Sequence, residues 1–282
     1  MIVIRLSSGL GNQLFMYAFY KYIELKYGET PYFDDKYFVD RRGIIRQSEL
    51  AVLFPNYPVY KFHFNPAGER RFRGYFFRWK QKLFPSFRYI NEKDYDDTFE
   101  YKGDIYFNGF WQNHKYVDQL DKSLFVSKEP LPSVLESVRQ QIENSACPVC
   151  IHFRRGDYFM PKWVHRYGVC TLEYYKRAMN LLESKVDEEI VYFVFSDDLN
   201  WVKQNISFNS RYILVPNYDI NSYWYIYLMS LCHHNIISNS TFSWWGAYLN
   251  NNATKYVVAP EKWMFDTDMN IALDEWIKVK VD

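Results

Sequence analysis

The chain has 282 residues, enough to bury a substantial core in one large domain or in two of ordinary size. Its 34 lysine and arginine residues and 33 aspartate and glutamate residues leave a net charge of +1, so we expect no nucleic-acid partner. No apolar stretch is long enough to span a membrane, and the N-terminus lacks the basic start and cleavage site of a signal peptide, which predicts a cytoplasmic protein.

The first half of the chain starts as an α/β unit and then becomes irregular. The pattern predicts a strand from Ile2 to Leu6, a loop, and a helix from about Asn12 to Tyr27 that ends at Gly28. Further strands are predicted at 31–33 and 105–107, and a helix at 131–144. Prolines interrupt the sequence between those two strands, at positions 55, 58, 66 and 85.

The second half alternates regularly between strands and helices. Strands are predicted at 148–153, 190–195, 212–215, 235–238 and 255–258. Helices are predicted at about 171–186, 199–205, 220–232 and 241–250. This alternation is typical of a parallel sheet with right-handed crossovers. The break near Ser145 therefore predicts two domains, 1–145 and 146–282.

Three polar clusters follow predicted strands of the second half. They are His152 to Asp157, Asp197 with Asp198, and Ser238 to Ser243. Because the carboxyl ends of parallel strands share one edge of a sheet, the clusters should lie at the edge where such sheets bind ligands. Each also has a simpler explanation: an Arg155–Asp157 surface ion pair, or capping of the next helix by an aspartate or by Ser240 or Thr241.

The chemistry of the clusters fits a nucleoside diphosphate. Arg154 offers a planar fork of donors to phosphate oxygens, and a helix opening with Ser240 and Thr241 offers N–H groups and hydroxyls. The carboxylate of Asp198 can accept the paired N–H donors of guanine. Such a site needs no metal. The loop Gly9-Leu10-Gly11 allows close backbone approach to a ligand but falls short of a dinucleotide fingerprint.

Four motifs, in order, resemble those of the α-1,2-fucosyltransferases of glycosyltransferase family 11. They are G-L-G-N-Q-L-F at 9–15, H-F-R-R-G-D-Y at 152–158, F-S-D-D at 195–198 and S-N-S-T-F-S-W-W at 238–245. Together they span nearly the whole chain. Because no N-terminal membrane anchor is predicted, the sequence resembles the bacterial form of this family.

This resemblance implies an α/β fold of the GT-B type, with two Rossmann-like domains facing across a cleft. Domain 1–145 would bind the acceptor and domain 146–282 would bind GDP-fucose, with the final residues packing back on the first domain. The implied reaction is an inverting transfer of L-fucose to the 2-hydroxyl of a β-galactoside, in the synthesis of a glycan such as O-antigen. No cofactor or metal is implied beyond the GDP-fucose donor.

The resemblance also implies roles for single residues. Arg154 would grip the diphosphate, and His152 and Asp198 would lie near the guanosine. Arg155 and Asp197 would belong to the same substrate-binding set. Ser240, Thr241, Phe242 and Ser243 would cradle phosphate oxygens, and Gly11, Asn12 and Gln13 would approach the fucose. Trp111 and Gln112 lie in a segment similar to the acceptor site of the family. Trp111 would stack on a sugar face or, as the alternative, belong to the core.

Three questions stay open at this point. The general base is either Asp157 or one of Asp34, Asp35, His63 and His114. In the second case, Asp157 would orient Arg155 or His152. Asp266-Thr267-Asp268 has the D-x-D pattern of metal-dependent glycosyltransferases but does not follow a strand. Residues 69–84 predict a basic amphipathic helix that either contacts an inner membrane surface or packs its aromatic side chains on the first domain.

Overall fold

The computed structural model of the chain describes residues 1–40, 43–44, 48–60, 87–100 and 103–281. The predicted basic helix at 69–84 and the base candidate His63 lie outside these ranges. The chain divides into two compact units, Met1–Leu124 and Phe125–Asp282.

The first unit contains a parallel sheet in the order β2–β1–β6–β5 within the described residues. Its strands are β1 (Ile2–Arg5), β2 (Tyr32–Asp34), β5 (Phe87–Asn91) and β6 (Asp104–Asn108). Two short strands, β3 (Val39–Asp40) and β4 (Gly43–Ile44), pair with each other in antiparallel fashion. Helix α1 (Leu10–Tyr27) follows β1 and ends where Gly28 adopts a left-handed conformation with φ of 65°.

The second unit contains a parallel sheet in the order β12–β11–β10–β7–β8–β9. Its strands are β7 (Cys147–Phe153), β8 (Ile190–Ser196), β9 (Arg211–Leu214), β10 (His234–Ile236), β11 (Val257–Pro260) and β12 (Ile277–Val279). The chain runs outward from β7 to β9 on one side and then from β10 to β12 on the other. The strand order therefore reverses between β7 and β10.

Helices of the second unit connect these strands. They are α2 (Glu136–Glu143), α3 (Val164–Tyr167), α4 (Leu172–Glu183), α5 (Leu199–Asn205), α6 (Tyr223–Leu231) and α7 (Thr241–Leu249). Short 3₁₀ helices occur in both units, at Lys36–Phe38, Leu50–Val52, Glu92–Asp94, His114–Tyr116, Lys122–Phe125, Ser133–Leu135 and Gly156–Phe159.

Strands β7 and β8 form the centre of the second core. Every residue of both strands is buried, as expected for parallel strands that are covered on both faces. Helix α4 presents Tyr174, Tyr175 and Leu182 to the same cluster as Ile151 and Val194. The continuous apolar runs that predicted these strands are a consequence of that two-sided burial.

The predicted α/β class with a parallel sheet in each half is confirmed. Strand β5 lies in the stretch predicted to be irregular, and β12 was not predicted. The compact units divide after Leu124 and not near Ser145, because helix α2 packs on α6 of the second unit and the Ser127 N–H donates to Tyr223 Oη. The final residues, expected to pack on the first domain, belong to the second unit, where β12 pairs with β11.

Candidate functional site

The strand-order reversal places two polar clusters side by side. His152 lies near the end of β7 and Ser238 follows β10, and His152 Nδ1 is 2.9 Å from Ser238 Oγ. Both residues are buried. The Asp197 cluster follows β8, on the other side of β7. All three predicted clusters therefore meet at the carboxyl edge, around the switch point where open α/β sheets bind ligands.

Arg154 is held between two carboxylates at this edge. Its Nη2 donates to Asp157 Oδ1 at 2.7 Å, and its Nη1 lies 3.0 Å from Asp197 Oδ2. The other oxygen of Asp197 accepts the Arg155 N–H at 2.8 Å. Asp157 thus pairs with Arg154, whereas the sequence suggested an ion pair with Arg155 or orientation of Arg155 or His152.

Arg155 is placed differently from its neighbour. Its guanidinium carbon lies 3.4 Å from the ring centre of Phe159 and 3.7 Å from that of Trp201, so it is sandwiched between two aromatic rings. This partial burial lowers the pKa of Arg155 from its usual range, although the group stays charged. Arg155 anchors the loop, and Arg154 is the arginine left at the edge.

Gly156 explains how Asp197 approaches so closely. A Cβ atom at residue 156 would lie 2.5 Å from Asp197 Oδ2. Any other residue would therefore displace the carboxylate that holds Arg154. The glycine of H-F-R-R-G-D-Y is thus required by a contact with a residue 41 positions away in the sequence.

Helix α7 begins at the same edge with hydroxyl side chains. Ser240 is the N-cap, and its side chain accepts the Phe242 N–H at 3.3 Å. Ser243 Oγ donates to the Ser240 carbonyl at 3.3 Å and lies 3.5 Å from Ser238 Oγ. The capping explanation for Ser240 is therefore confirmed, and Ser243 is buried behind the cap. Thr241 and Phe242 are partly exposed, so the helix N-terminus is accessible at these two residues.

Asp198 is also a helix cap. Its Oδ1 accepts the Trp201 N–H at 2.9 Å, at the start of α5. The residue is exposed, so its carboxylate can accept further donors. Capping and ligand binding are therefore compatible at Asp198.

His152 is held neutral by its surroundings. Burial, with a smaller contribution from the charge of Arg154, lowers the pKa of His152 to about 3. A neutral imidazole accepts through one nitrogen and donates through the other. His152 is therefore a hydrogen-bonding group at neutral pH, not a second positive charge.

In the first unit, Asn12 and Gln112 form a pair. Gln112 Nε2 donates to Asn12 Oδ1 at 2.7 Å, and Asn12 Nδ2 donates to Ser8 Oγ at 2.9 Å. Ser8 has a positive φ of 69°, which is uncommon for a residue other than glycine. The pair joins the first turn of α1 to the loop after β6, at the carboxyl edge of this sheet.

Two expected sugar contacts are buried instead. Gln13 has no exposed surface: its Nε2 donates to the Ser8 carbonyl, and its Oε1 accepts from Ser48 Oγ and from the N–H groups of Glu49 and Leu50. The Gln13 side chain therefore fastens the loop, and its approach to fucose stays a prediction. Trp111 is fully buried and stacks on Phe19 with ring centres 3.6 Å apart, which favours its core alternative.

The base candidates of the first unit have different environments. Asp34 is 2% exposed and accepts from Tyr106 Oη at 2.8 Å. Burial raises the pKa of Asp35, with a contribution from neighbouring Asp34. His114 is an exposed partner of Asp118 at 2.7 Å. Of the three, Asp35 is a partly buried carboxyl whose environment favours proton uptake.

The D-x-D segment engages an arginine. Asp266 Oδ2 lies 3.2 Å from Arg166 Nε. Across the described ranges, no three His, Cys, Asp or Glu side chains are grouped as metal ligands would be. Nor does any helix within them have the length and apolar character needed to cross a membrane.

Two supporting tyrosines were not found from the sequence. Tyr175 Oη donates to the His152 carbonyl at 3.0 Å. Tyr174 Oη donates to the Ile237 carbonyl. The adjacent tyrosines at the start of α4 therefore fix the ends of β7 and β10. Their position on the first turn of a crossover helix was the available signal.

Comparison with protein families gives a match over nearly the whole chain. The model for glycosyl transferase family 11 matches residues 4–280. An Escherichia coli alpha-1,2-colitosyltransferase is 28% identical, over 99% of each chain. The O-antigen biosynthesis glycosyltransferase WbnK of Escherichia coli is 35% identical over 51% of this chain and 49% of its own length. Galactoside alpha-(1,2)-fucosyltransferase 1 of Bos taurus is 28% identical over 39% of this chain and 31% of its own.

Solved structures show the same fold. The alpha-1,6-fucosyltransferase NodZ, soaked with GDP-fucose, has a TM-score of 0.51 at 15% identity and covers 87% of this chain and 91% of its own. Arabidopsis thaliana FUT1 in complex with GDP has a TM-score of 0.52 at 14% identity, over 93% of this chain and 71% of its own. At such identities the likeness concerns the fold.

Proposed function

This chain belongs to glycosyltransferase family 11, and we propose that it transfers L-fucose from GDP-fucose to the 2-hydroxyl of a terminal β-galactoside, with inversion at the fucose carbon. In this proposal the second unit binds the donor and the first binds the acceptor. The observation that carries it is the switch point of the second sheet, where Arg154, His152 and the N-terminus of α7 come together.

Arg154 supplies the main positive charge to the donor. Breaking the bond between fucose and the diphosphate builds negative charge on the leaving group, and donors aimed at that charge stabilise the transition state. Asp157 and Asp197 fix the guanidinium, and its remaining N–H groups can bind phosphate oxygens. The N-terminus of α7, which begins at Thr241, adds a field that favours negative charge. In this proposal no metal ion and no other cofactor takes part.

The guanine base is read by Asp198. Guanine carries a ring N–H and an amino group side by side, and one carboxylate can accept from both. Asp198 is exposed beside the Asp197 carboxylate that holds Arg154, so the residue that reads the base follows directly on the residue that positions the phosphate-binding arginine.

One comparison favours a different donor sugar as the alternative to fucose. The alpha-1,2-colitosyltransferase matches over 99% of both chains, whereas the fucosyltransferase of Bos taurus matches over 39% of this chain. Colitose is a fucose that lacks the 3-hydroxyl. Transfer of colitose from GDP-colitose to the same galactoside hydroxyl is therefore the alternative.

A donor competition separates these functions. The purified protein is incubated with a β-galactoside and equal amounts of GDP-fucose and GDP-colitose, and the two products are counted by mass spectrometry. An excess of the fucosylated product supports the proposal. An excess of the colitosylated product assigns the alternative, and no glycosyl product from either donor contradicts both.

A further inference from the structure

Each strand of the first sheet ends on a polar residue. In sheet order these are Asp34 of β2, Arg5 of β1, Asn108 of β6 and Asn91 of β5. They form a row along the carboxyl edge of this sheet. Arg5 is the one cation in this row, and it lies on a central strand.

Three hydrogen bonds run along this row in one direction. Arg5 Nη1 donates to Asn108 Oδ1 at 3.0 Å, and Asn108 Nδ2 donates to Asn91 Oδ1 at 3.1 Å. Asn91 Nδ2 then donates to Asp94 Oδ2 at 3.0 Å. The bonds fix the orientation of both amides, so Asn108 presents its oxygen to Arg5. The guanidinium is thereby positioned through neutral groups.

No carboxylate within the described ranges forms an ion pair with Arg5. Asp34, its register partner on β2, is committed elsewhere, since its two oxygens accept from Tyr106 Oη and from the Lys36 N–H. Arg5 is half-buried, and Tyr37 provides only a weak aromatic contact at 6.0 Å. A guanidinium has five N–H donors, and Asn108 accepts from one of them.

A half-buried guanidinium without a carboxylate partner favours an anion. Removing the charge from water is unfavourable unless an opposite charge or several acceptors replace the lost hydration. The fork of donors fits carboxylate and phosphate oxygens, and such charge-assisted bonds are stronger than those to neutral hydroxyls. Arg5 differs from Arg154, which two carboxylates already hold, because no carboxylate within the described ranges offsets its charge.

We infer that Arg5 anchors an anion subsite in the first unit, which holds a carboxylate or phosphate carried by the acceptor. The inference rests on the proposed function, because it assumes that this unit binds the galactoside. The acceptor would then be recognised in two parts: its galactose, and a charged group on the neighbouring residue. Specificity for an acidic acceptor would then depend on Arg5 and on the hydrogen-bonded amides that position it.

Calorimetric titration of the GDP-bound protein with three probes tests this subsite. The probes are lactose, lactose 1-phosphate and the disaccharide in which the glucose of lactose is replaced by glucuronic acid. At least one anionic probe should bind about tenfold more tightly than lactose. Tighter binding of the phosphate probe would identify phosphate as the anion, and tighter binding of the glucuronate probe would identify a carboxylate. Equal affinity for all three would overturn the inference.

Variants of the row provide a second test. Arg5→Gln should remove the preference for the anionic probe, and Asn108→Asp should reduce it by placing a carboxylate against Arg5 without deleting the arginine. Arg88→Gln, an exposed position near the start of β5, should keep the preference. Retention of the preference by both Arg5→Gln and Asn108→Asp, with GDP binding unchanged, would contradict the subsite. Failure of fucosyl transfer to lactose in a separate assay would count against the proposed function alone, because the binding measurement does not depend on turnover.

Discussion

Arg154 Nη1 lies 3.0 Å from Asp197 Oδ2, a contact that joins the end of β7 to the end of β8. The same aspartate accepts the Arg155 N–H, so one carboxylate fixes both the backbone and the guanidinium of the loop. Asp157, three residues beyond Arg154, adds the second contact. Arg154 is thus preorganised by contacts within its own chain, as a group that stabilises developing charge should be.

Loss of Arg154 should abolish most of the transferase activity. We expect Arg154→Ala to lower kcat by about 10²–10³-fold or more, because the leaving diphosphate loses its main charge partner as its own charge grows. Initial rates over a range of GDP-fucose concentrations measure this effect. Arg139→Ala, which removes a surface arginine paired with Glu143 on α2, should leave kcat unchanged. A variant at position 154 that retains more than about a tenth of the wild-type kcat would remove Arg154 from this role.

Asp157 is expected to position Arg154 and not to act as the base. Its carboxyl is about half exposed and bonded to Arg154, and Asp197 still holds the arginine when Asp157 is changed. We therefore expect Asp157→Asn to lower kcat by about tenfold or less, whereas loss of a general base costs about 10²–10⁴-fold. The pH profile of kcat decides between them. Disappearance of its acidic limb in Asp157→Asn, together with a large loss of rate, would make Asp157 the base.

The preference for GDP should depend on Asp198. Two substitutions at this position separate its role in binding guanine from its role in capping α5. Asparagine can still cap α5 but cannot accept both guanine donors, so Asp198→Asn should narrow the preference for GDP over UDP by about tenfold. Asp198→Ala should also lose about 1 kcal/mol of stability with the cap. Inhibition constants and thermal unfolding provide the two readouts, with exposed Asp187→Asn as the control. If Asp197→Asn narrows the preference and Asp198→Asn does not, the neighbouring carboxylate reads the base.

The buried His152 should make stability depend on pH. Its pKa is about 3 in the folded protein against 6.5 for an unperturbed histidine, so between these values the unfolded state binds a proton that the folded state does not. Stability should therefore fall as the pH decreases below about 6.5, by up to about 1.4 kcal/mol per pH unit from this residue.

Denaturant unfolding of His152→Gln between pH 7 and pH 4 isolates this contribution. Glutamine is neutral throughout, so the variant should lose less stability than the wild type over the same range. His233→Gln, which changes an exposed histidine, should keep the wild-type slope. Parallel curves for wild type and His152→Gln would show that His152 is not held neutral by the fold.

The sequence predicted β7, β8 and the end of α1 well because these features depend on residues that are neighbours in the sequence. The fully buried runs of β7 and β8 and the glycine that ends α1 leave direct marks in the residue pattern. Strand β5 was missed because it lies in a stretch interrupted by prolines. The domain boundary differed because α2 and the residues before it contact α6, which follows about 80 residues later.

The candidate site shows the same division between local and distant contacts. The pairing of Arg154 with Asp157 spans three residues, whereas its pairing with Asp197 spans more than 40 and depends on the strand order. Gln13 resembles a ligand-binding residue in a glycine-rich loop. Its buried amide is instead satisfied by Ser48, Glu49 and Leu50, which only the folded chain brings near. Trp111 is an aromatic residue whose burial against Phe19 no sequence pattern revealed.

The proposed transfer of fucose to the galactose 2-hydroxyl is tested by identifying the linkage of the product. The protein is incubated with GDP-fucose and lactose in the presence of EDTA, with lactose that lacks the 2-hydroxyl on galactose as the matched acceptor control. We predict a single product with fucose α-linked to the galactose 2-hydroxyl by NMR, an unchanged rate with the chelator, and no product from the deoxy acceptor. Fucose on another hydroxyl, or activity that EDTA abolishes and Mn²⁺ or Mg²⁺ restores, would contradict it.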